Sequence, residues 1–213
     1  MSCDPFDDRA SCARESGVEL LLAIAGEFGA ADAAATQRLL DDFALALFGF
    51  ADEDAGEQAA ALLRLMTADL RFAACDGDEP EQLLLPAVVQ SRRGHPLMLA
   101  VVGREIARRA GVGAAVFSSP RRWFVGLQAD DHLLLLDASL RDAAQAPIQV
   151  RPHCRHELAC CALTGLSRSF ARRGRLDEAR RAATRKLTLP IADGLRSQVR
   201  RELQALDRAQ ARS

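Results

Sequence analysis

The sequence predicts an α+β fold, with helices at both ends of the chain and a small antiparallel sheet between them. Three observations carry this expectation. Apolar residues recur at helical spacing in three successive segments ahead of Arg71. A nearly all-apolar stretch follows Pro96, as expected of a buried helix. Three short strand-like runs, separated by turn residues, then lie between Val112 and Asp137.

Taken in order, residues 1–15 are polar and aperiodic and are expected to be a flexible terminus. Gly17 to Phe28 reads as a helix on Val18, Leu21, Leu22, Ala25 and Phe28. Ala30 to Gly49 reads as a second, with Thr36 as a candidate cap and Leu39, Leu40, Phe43, Leu47 and Phe48 on one face. Asp52 to Leu70 reads as a third, its early acids placed at the positive end of the helix dipole. The run Cys75-Asp76-Gly77-Asp78-Glu79-Pro80 has loop chemistry. A short apolar segment from Glu81 to Gln90 precedes the buried helix, Leu97 to Ala110, which Gly111 stops. The strands are expected at 112–118, 123–128 and 132–137, with Asp130-Asp131 turning the last two. After a connector at 142–152, helical patterns run from His153 to Arg173, Leu176 to Leu189 and Leu195 to Ala211, broken by Gly174 and Pro190.

Composition is that of a globular protein: 49% hydrophobic and 27% charged. No apolar run reaches the roughly 18 residues of a membrane span. The acidic start, Met1-Ser2-Cys3-Asp4, lacks the basic and apolar pattern of a secretory leader, so a cytoplasmic location is expected. On that expectation Cys3, Cys12, Cys75, Cys154, Cys160 and Cys161 are read as thiols. The net charge of −1 conceals a gradient: −13 over residues 1–82, +3 over 83–150 and +9 over 151–213. Two explanations stand. Either the acidic and basic parts attract each other, within the fold or across a dimer, or the basic tail meets an acidic partner, nucleic acid included. The acidic part favours the first, because it repels phosphate.

The stretch Arg92-Arg93-Gly94-His95-Pro96-Leu97-Met98-Leu99, the helix ending Ala107-Arg108-Arg109-Ala110-Gly111-Val112, and three strands ending Leu136-Asp137 together resemble the SirB-type transglutaminase-like proteins of bacteria. That family typically has Arg-X-Gly-Ile-Pro-Ile-Ser-Leu at the first of these. The resemblance runs from about Gly17 to about Pro190. It implies a transglutaminase-like (papain-like) core over residues 16–150, with N-terminal helices, a buried central helix and a three-strand antiparallel meander. It also implies a basic, tetratricopeptide-like helical tail over residues 151–213. Leu163, Leu166, Phe170 and Ala179 fall where such a repeat wants large, large, aromatic and small residues, although Pro190 comes one residue early. A single repeat does not bury its own face, so the hairpin must dock on the core or on a partner.

The resemblance also implies where a Cys–His–Asp triad belongs. The nucleophile slot at the start of the buried helix falls within Pro96-Leu97-Met98, with Met98 in its place. The family's Pro-Gly-His-Phe-like stretch reads Pro120-Arg121-Arg122-Trp123-Phe124, so Arg122 stands for the histidine, and arginine accepts no proton near neutral pH. Asp137 is retained. No catalytic residue is therefore expected, and the leading expectation is a non-enzymatic protein that acts through protein–protein contact, in regulation, by its C-terminal helices. Arg122 and Asp137 are expected to form an ion pair that holds two strands together. The alternative is a ligand pocket of His95, Arg122, Trp123 and Asp137 able to take an acidic group. A hydrolase or transferase using other residues of the same cleft is a further alternative, as is nucleic-acid binding through the basic tail.

The remaining constellations imply less. His153, Cys154, His156, Cys160 and Cys161 are compact, but their spacing matches no common zinc pattern, so no metal is expected. The cysteines are read as small apolar core residues. The tail arginines come without aromatic interleaving or a nucleic-acid motif. No Walker-type or dinucleotide-binding pattern occurs, and no cofactor is expected.

Overall fold

The computed structural model describes residues 17–29, 32–75, 79–120, 122–129, 132–139 and 149–212. The expected flexible terminus at 1–15, the Asp130-Asp131 turn, Asp76 to Asp78 of the acidic loop and most of the 142–152 connector lie outside these residues. The described chain is mixed α and β. It divides into two compact units, one of residues 32–77 and 85–153, the other of residues 17–29, 79–84 and 154–212.

The first unit holds the sheet. Its helices α2 (Ala33–Leu45) and α3 (Ala55–Arg64) each begin at an aspartate that accepts backbone N–H groups. Asp32 takes the N–H of Ala35, and Asp54 takes those of Gly56 and Glu57. Asp32 thus does the capping expected of Thr36, whose hydroxyl instead donates to the Asp32 carbonyl one turn back. The third helical segment does not continue to Leu70 as an α-helix: it widens into a π turn over Leu65–Asp69. Strand β1 (Ala73–Ala74) then pairs in parallel with β2 (Arg93–Gly94), on either side of helix α4 (Leu85–Ser91).

Helix α5 (Pro96–Arg109) is the axis of this unit. Every residue from Leu97 to Val102 is 1% exposed or less, as its apolar first turns require. It lies against β3 (Ala114–Ser118) and β4 (Trp123–Gln128) on one side and α2 on another. Gly103 is its point of closest approach, since a Cβ there would come within 3.1 Å of a Val125 methyl. Gly111, at φ +85°, ends the helix as expected.

Strands β3, β4 and β5 (Leu133–Asp137) form the antiparallel meander. A fourth short strand, β6 (Arg151–Pro152), joins it beyond β3, giving the order β5-β4-β3-β6. The sequence reading gave three strands because two residues ending in proline carry no alternation to detect. Register sets Phe117, Phe124 and Asp137 in one row across the sheet.

The second unit is helical. Helix α1 (Gly17–Glu27) packs on α6 (Arg155–Arg172), with the Phe28 and Phe170 rings 5.2 Å apart. Leu83, from the single turn Pro80–Leu83, packs on α6 at Gly165. Helix α7 (Leu176–Lys186) turns back at Gly174, φ +72°, and approaches its neighbours through the fully buried Ala179, Ala182 and Ala183. Helix α8 (Asp193–Gln210) follows and lies against α7. Arg185 pairs with Glu27 at 2.8 Å, and Arg173 pairs with Glu79. Two tail arginines thus meet acids from the N-terminal part of the sequence inside one unit. Among the described residues no helix is long and apolar enough to cross a membrane.

Candidate functional site

At the start of the buried helix, Pro96, Leu97 and Met98 carry no nucleophile, while Cys75 lies alongside, its N–H donating to the Gly94 carbonyl at 2.9 Å. His95, extended at φ −62° and ψ 141°, is the N-cap of α5, and its Nδ1 accepts the Leu97 N–H at 3.1 Å. Pro96 occupies the first helical position, where its missing N–H costs nothing. Leu97, Met98 and Leu99 follow, all within 1% of complete burial. The thioether of Met98 is enclosed in apolar surroundings and is not a nucleophile.

Arg122 stands one residue ahead of β4, and Asp137 is the last residue of β5. The structure brings them together. Arg122 Nε donates to Asp137 Oδ2 at 2.5 Å, and Nη2 forms an ion pair with the same oxygen. Asp137 Oδ1 accepts the Ser139 N–H at 2.7 Å. The carboxylate is buried, 1% exposed, whereas the guanidinium is 40% exposed and sits 5.4 Å from the Phe124 ring centroid. Both carboxylate oxygens are thus occupied. Beside Asp137, a cavity of about 10 Å³ is bounded by Leu62, Met66, Leu99, Val125 and Leu136. That is room for one water molecule at most.

Trp123 lies against His153, with ring centroids 4.9 Å apart. His153 follows β6, and its N–H donates to the Val116 carbonyl. Its Nε2 is 2.6 Å from Ser118 Oγ, at the end of β3. This contact was not foreseen. His153 was weighed with the cysteines, and Ser118 lies in Phe117-Ser118-Ser119-Pro120, a stretch that reads as an ordinary strand end. Only the short strand β6, invisible to periodicity, places the two side by side.

Among the described residues, no group of three or more His, Cys, Asp and Glu side chains gathers as metal ligands do. Cys154 is exposed at the start of α6, where its N–H donates to Glu157. Cys160 is buried, and burial pushes its thiol pKa up, although the Lys186 charge works the other way.

The strongest charge cluster supports the helix and not a cleft. Glu105 of α5 is fully buried among Arg104, Arg108 and Arg109. Burial raises its pKa, but hydrogen bonds and charge from Arg108 and Arg109 outweigh this and hold the carboxyl below the usual 4.5. Arg109 also donates to the Gln37 carbonyl at 2.9 Å and pairs with Asp41 at 2.5 Å, tying α5 to α2.

Residues 23–141 match the family model of the transglutaminase-like superfamily. A UPF0162 protein of Pseudomonas aeruginosa is 35% identical over 108 residues, which cover 49% of this chain and 36% of that protein. A UPF0162 protein of Xylella fastidiosa strain 9a5c is 35% identical over 79 residues, covering 35% of this chain and 28% of its own length. The matched stretches thus span between 28% and 36% of these relatives' length. No solved structure matches.

Proposed function

The chain belongs to the transglutaminase-like superfamily, and from that premise we propose that it is a non-enzymatic member that works by binding another protein. The observation that carries this reading is the Arg122–Asp137 pair. An arginine fills the position that the resemblance gives to the catalytic histidine, and it engages the retained acid directly. A buried Met98 in the nucleophile slot supports the same reading. On this reading the pair is structural, and residues 151–213 form a tetratricopeptide-like tail that contacts the partner. The large residues Leu163, Leu166 and Phe170 and the small Ala179 are all buried in the hairpin, in keeping with that layout.

A repair experiment tests the assignment. The double variant M98C/R122H rebuilds a thiol and an imidazole at the two replaced positions. Because position 98 is fully buried, the new thiol is expected to resist iodoacetamide in the folded chain, and the parent is expected to cleave no amide. Amide cleavage by the parent that depends on Asp137 overturns the reading.

One observation favours a second reading, a hydrolase of the same fold with other residues in the chemical roles. Ser118 and His153 lie within hydrogen-bond reach, as a nucleophile and its base would. Loss of a measured hydrolysis in Ser118→Ala would establish it.

A further inference from the structure

Helices α6 and α8 leave a groove between them, closed below by the end of α7. Its walls are two helical stripes: Thr164, Ser167, Arg168 and Ala171 on α6, and Leu195 through Leu206 at matching spacing on α8. Its volume is about 540 Å³, within the range of ligand sites. It lies wholly outside residues 23–141, so the enzyme-like core does not account for it.

The deepest residues of the groove are buried. Val199 is 1% exposed, and so is Lys186, whose ammonium pairs with Glu202 at 2.5 Å. Ser167 Oγ donates to the other Glu202 oxygen at 2.7 Å. The one carboxylate in the groove is thereby held by a cation and a hydroxyl. What remains at the mouth is the charge of Arg168 and Arg201, both exposed, beside the apolar Leu195. Three cations face one anion across an apolar trough.

We infer that this groove binds an acidic amphipathic helix of a partner protein, with leucine-like side chains seated against Leu195, Ala171 and Ala205 and carboxylates meeting Arg168 and Arg201. The inference rests on the protein-binding reading above and specifies its site. Charge selects an acidic occupant, since the rim presents two guanidiniums. The apolar floor selects side chains over phosphates, and no aromatic ring lines the groove for bases to stack on. Shape selects a helix: from Leu195 to Leu206 the α8 wall runs roughly 16 Å, about three turns of an incoming helix.

The test is a selection of random 16-residue peptides, displayed on phage, against the full chain. Winners are then synthesised with a fluorophore and titrated by anisotropy. Expected winners carry Asp or Glu flanking Leu, Ile or Met at i, i+3 and i+4. R168E/R201E is expected to weaken their binding about tenfold or more, as reversal of two rim charges does. R200E, on the same helix but outside the groove, is expected to leave it unchanged. The substituted residues are exposed, and circular dichroism confirms that each variant keeps its helices. Neutral or basic winners, no winners, or binding indifferent to R168E/R201E overturns the inference. So does tighter, Arg168- and Arg201-dependent binding of a labelled single-stranded oligonucleotide, which makes the groove a nucleic-acid site. Self-association abolished by R168E/R201E makes the occupant a second copy, and also overturns it. Amide turnover by the same preparation refutes the non-enzymatic reading independently of any peptide result.

Discussion

Asp137 is buried at the end of its strand and shares one oxygen with two nitrogens of Arg122, while its other oxygen takes the N–H of Ser139. Removing the guanidinium leaves the carboxylate buried with a single donor. Arg122→Ala is therefore expected to lower stability by about 1–2 kcal/mol, less than for a fully enclosed pair because the arginine is partly exposed. Arg122→Lys should recover only part of that loss, since lysine lacks the planar fork. Urea denaturation of the three proteins checks both statements.

Glu105 pairs with Arg104, Arg108 and Arg109 at the end of the buried helix. Glu105→Gln is expected to cost roughly 2–3 kcal/mol, below the figure for a fully enclosed pair because Arg108 is half exposed. The pH dependence has a definite sign. A carboxyl whose pKa is depressed in the folded state stabilises above its unfolded value, here about 4.5, and loses that contribution as pH falls through its lower folded value. Stability measured from pH 6 downward should thus fall more steeply in the parent than in Glu105→Gln.

Much of this arrangement is legible in the sequence, for reasons that differ between residues. Helix α5 and strands β3 to β5 announce themselves through apolar periodicity, and Asp137 follows from its place after Leu136. The Arg122–Asp137 contact was expected from the family resemblance, which puts the two residues where such proteins have a histidine and an acid. The π turn at Leu65–Asp69 was not legible, since its apolar spacing still reads as α-helix. Nor was the Ser118–His153 contact, which depends on pairing between residues 33 or more positions apart. The charge gradient made attraction between the acidic and basic ends the favoured expectation, but the apolar contact of Phe28 with Phe170, across most of the chain, left no signal in the sequence.

Gly94 explains why glycine stands in the Arg-X-Gly-X-Pro turn. A Cβ there would come within 2.6 and 2.7 Å of both Val88 methyls, and Val88 is fully buried with a stiff, β-branched side chain. Gly94→Ala is expected to cost about 1–3 kcal/mol through overpacking. In the double variant G94A/V88A much of the added cost should vanish relative to Val88→Ala alone. A double-mutant cycle by thermal denaturation reads the coupling.

The cysteines should differ sharply toward thiol reagents. Cys154 is exposed, whereas Cys160 is buried and its pKa is raised by that burial. A maleimide is expected to label Cys154 in the folded chain and Cys160 only after denaturation, with the sites read by peptide mass mapping.

The most direct test of a non-enzymatic role is turnover of peptide amides by the purified full chain, followed as ammonia or amine release, beside Asp137→Asn and Ser118→Ala. The expected result is no release above buffer for all three proteins. Release by the parent chain that either substitution abolishes would contradict the account and return chemistry to the cleft.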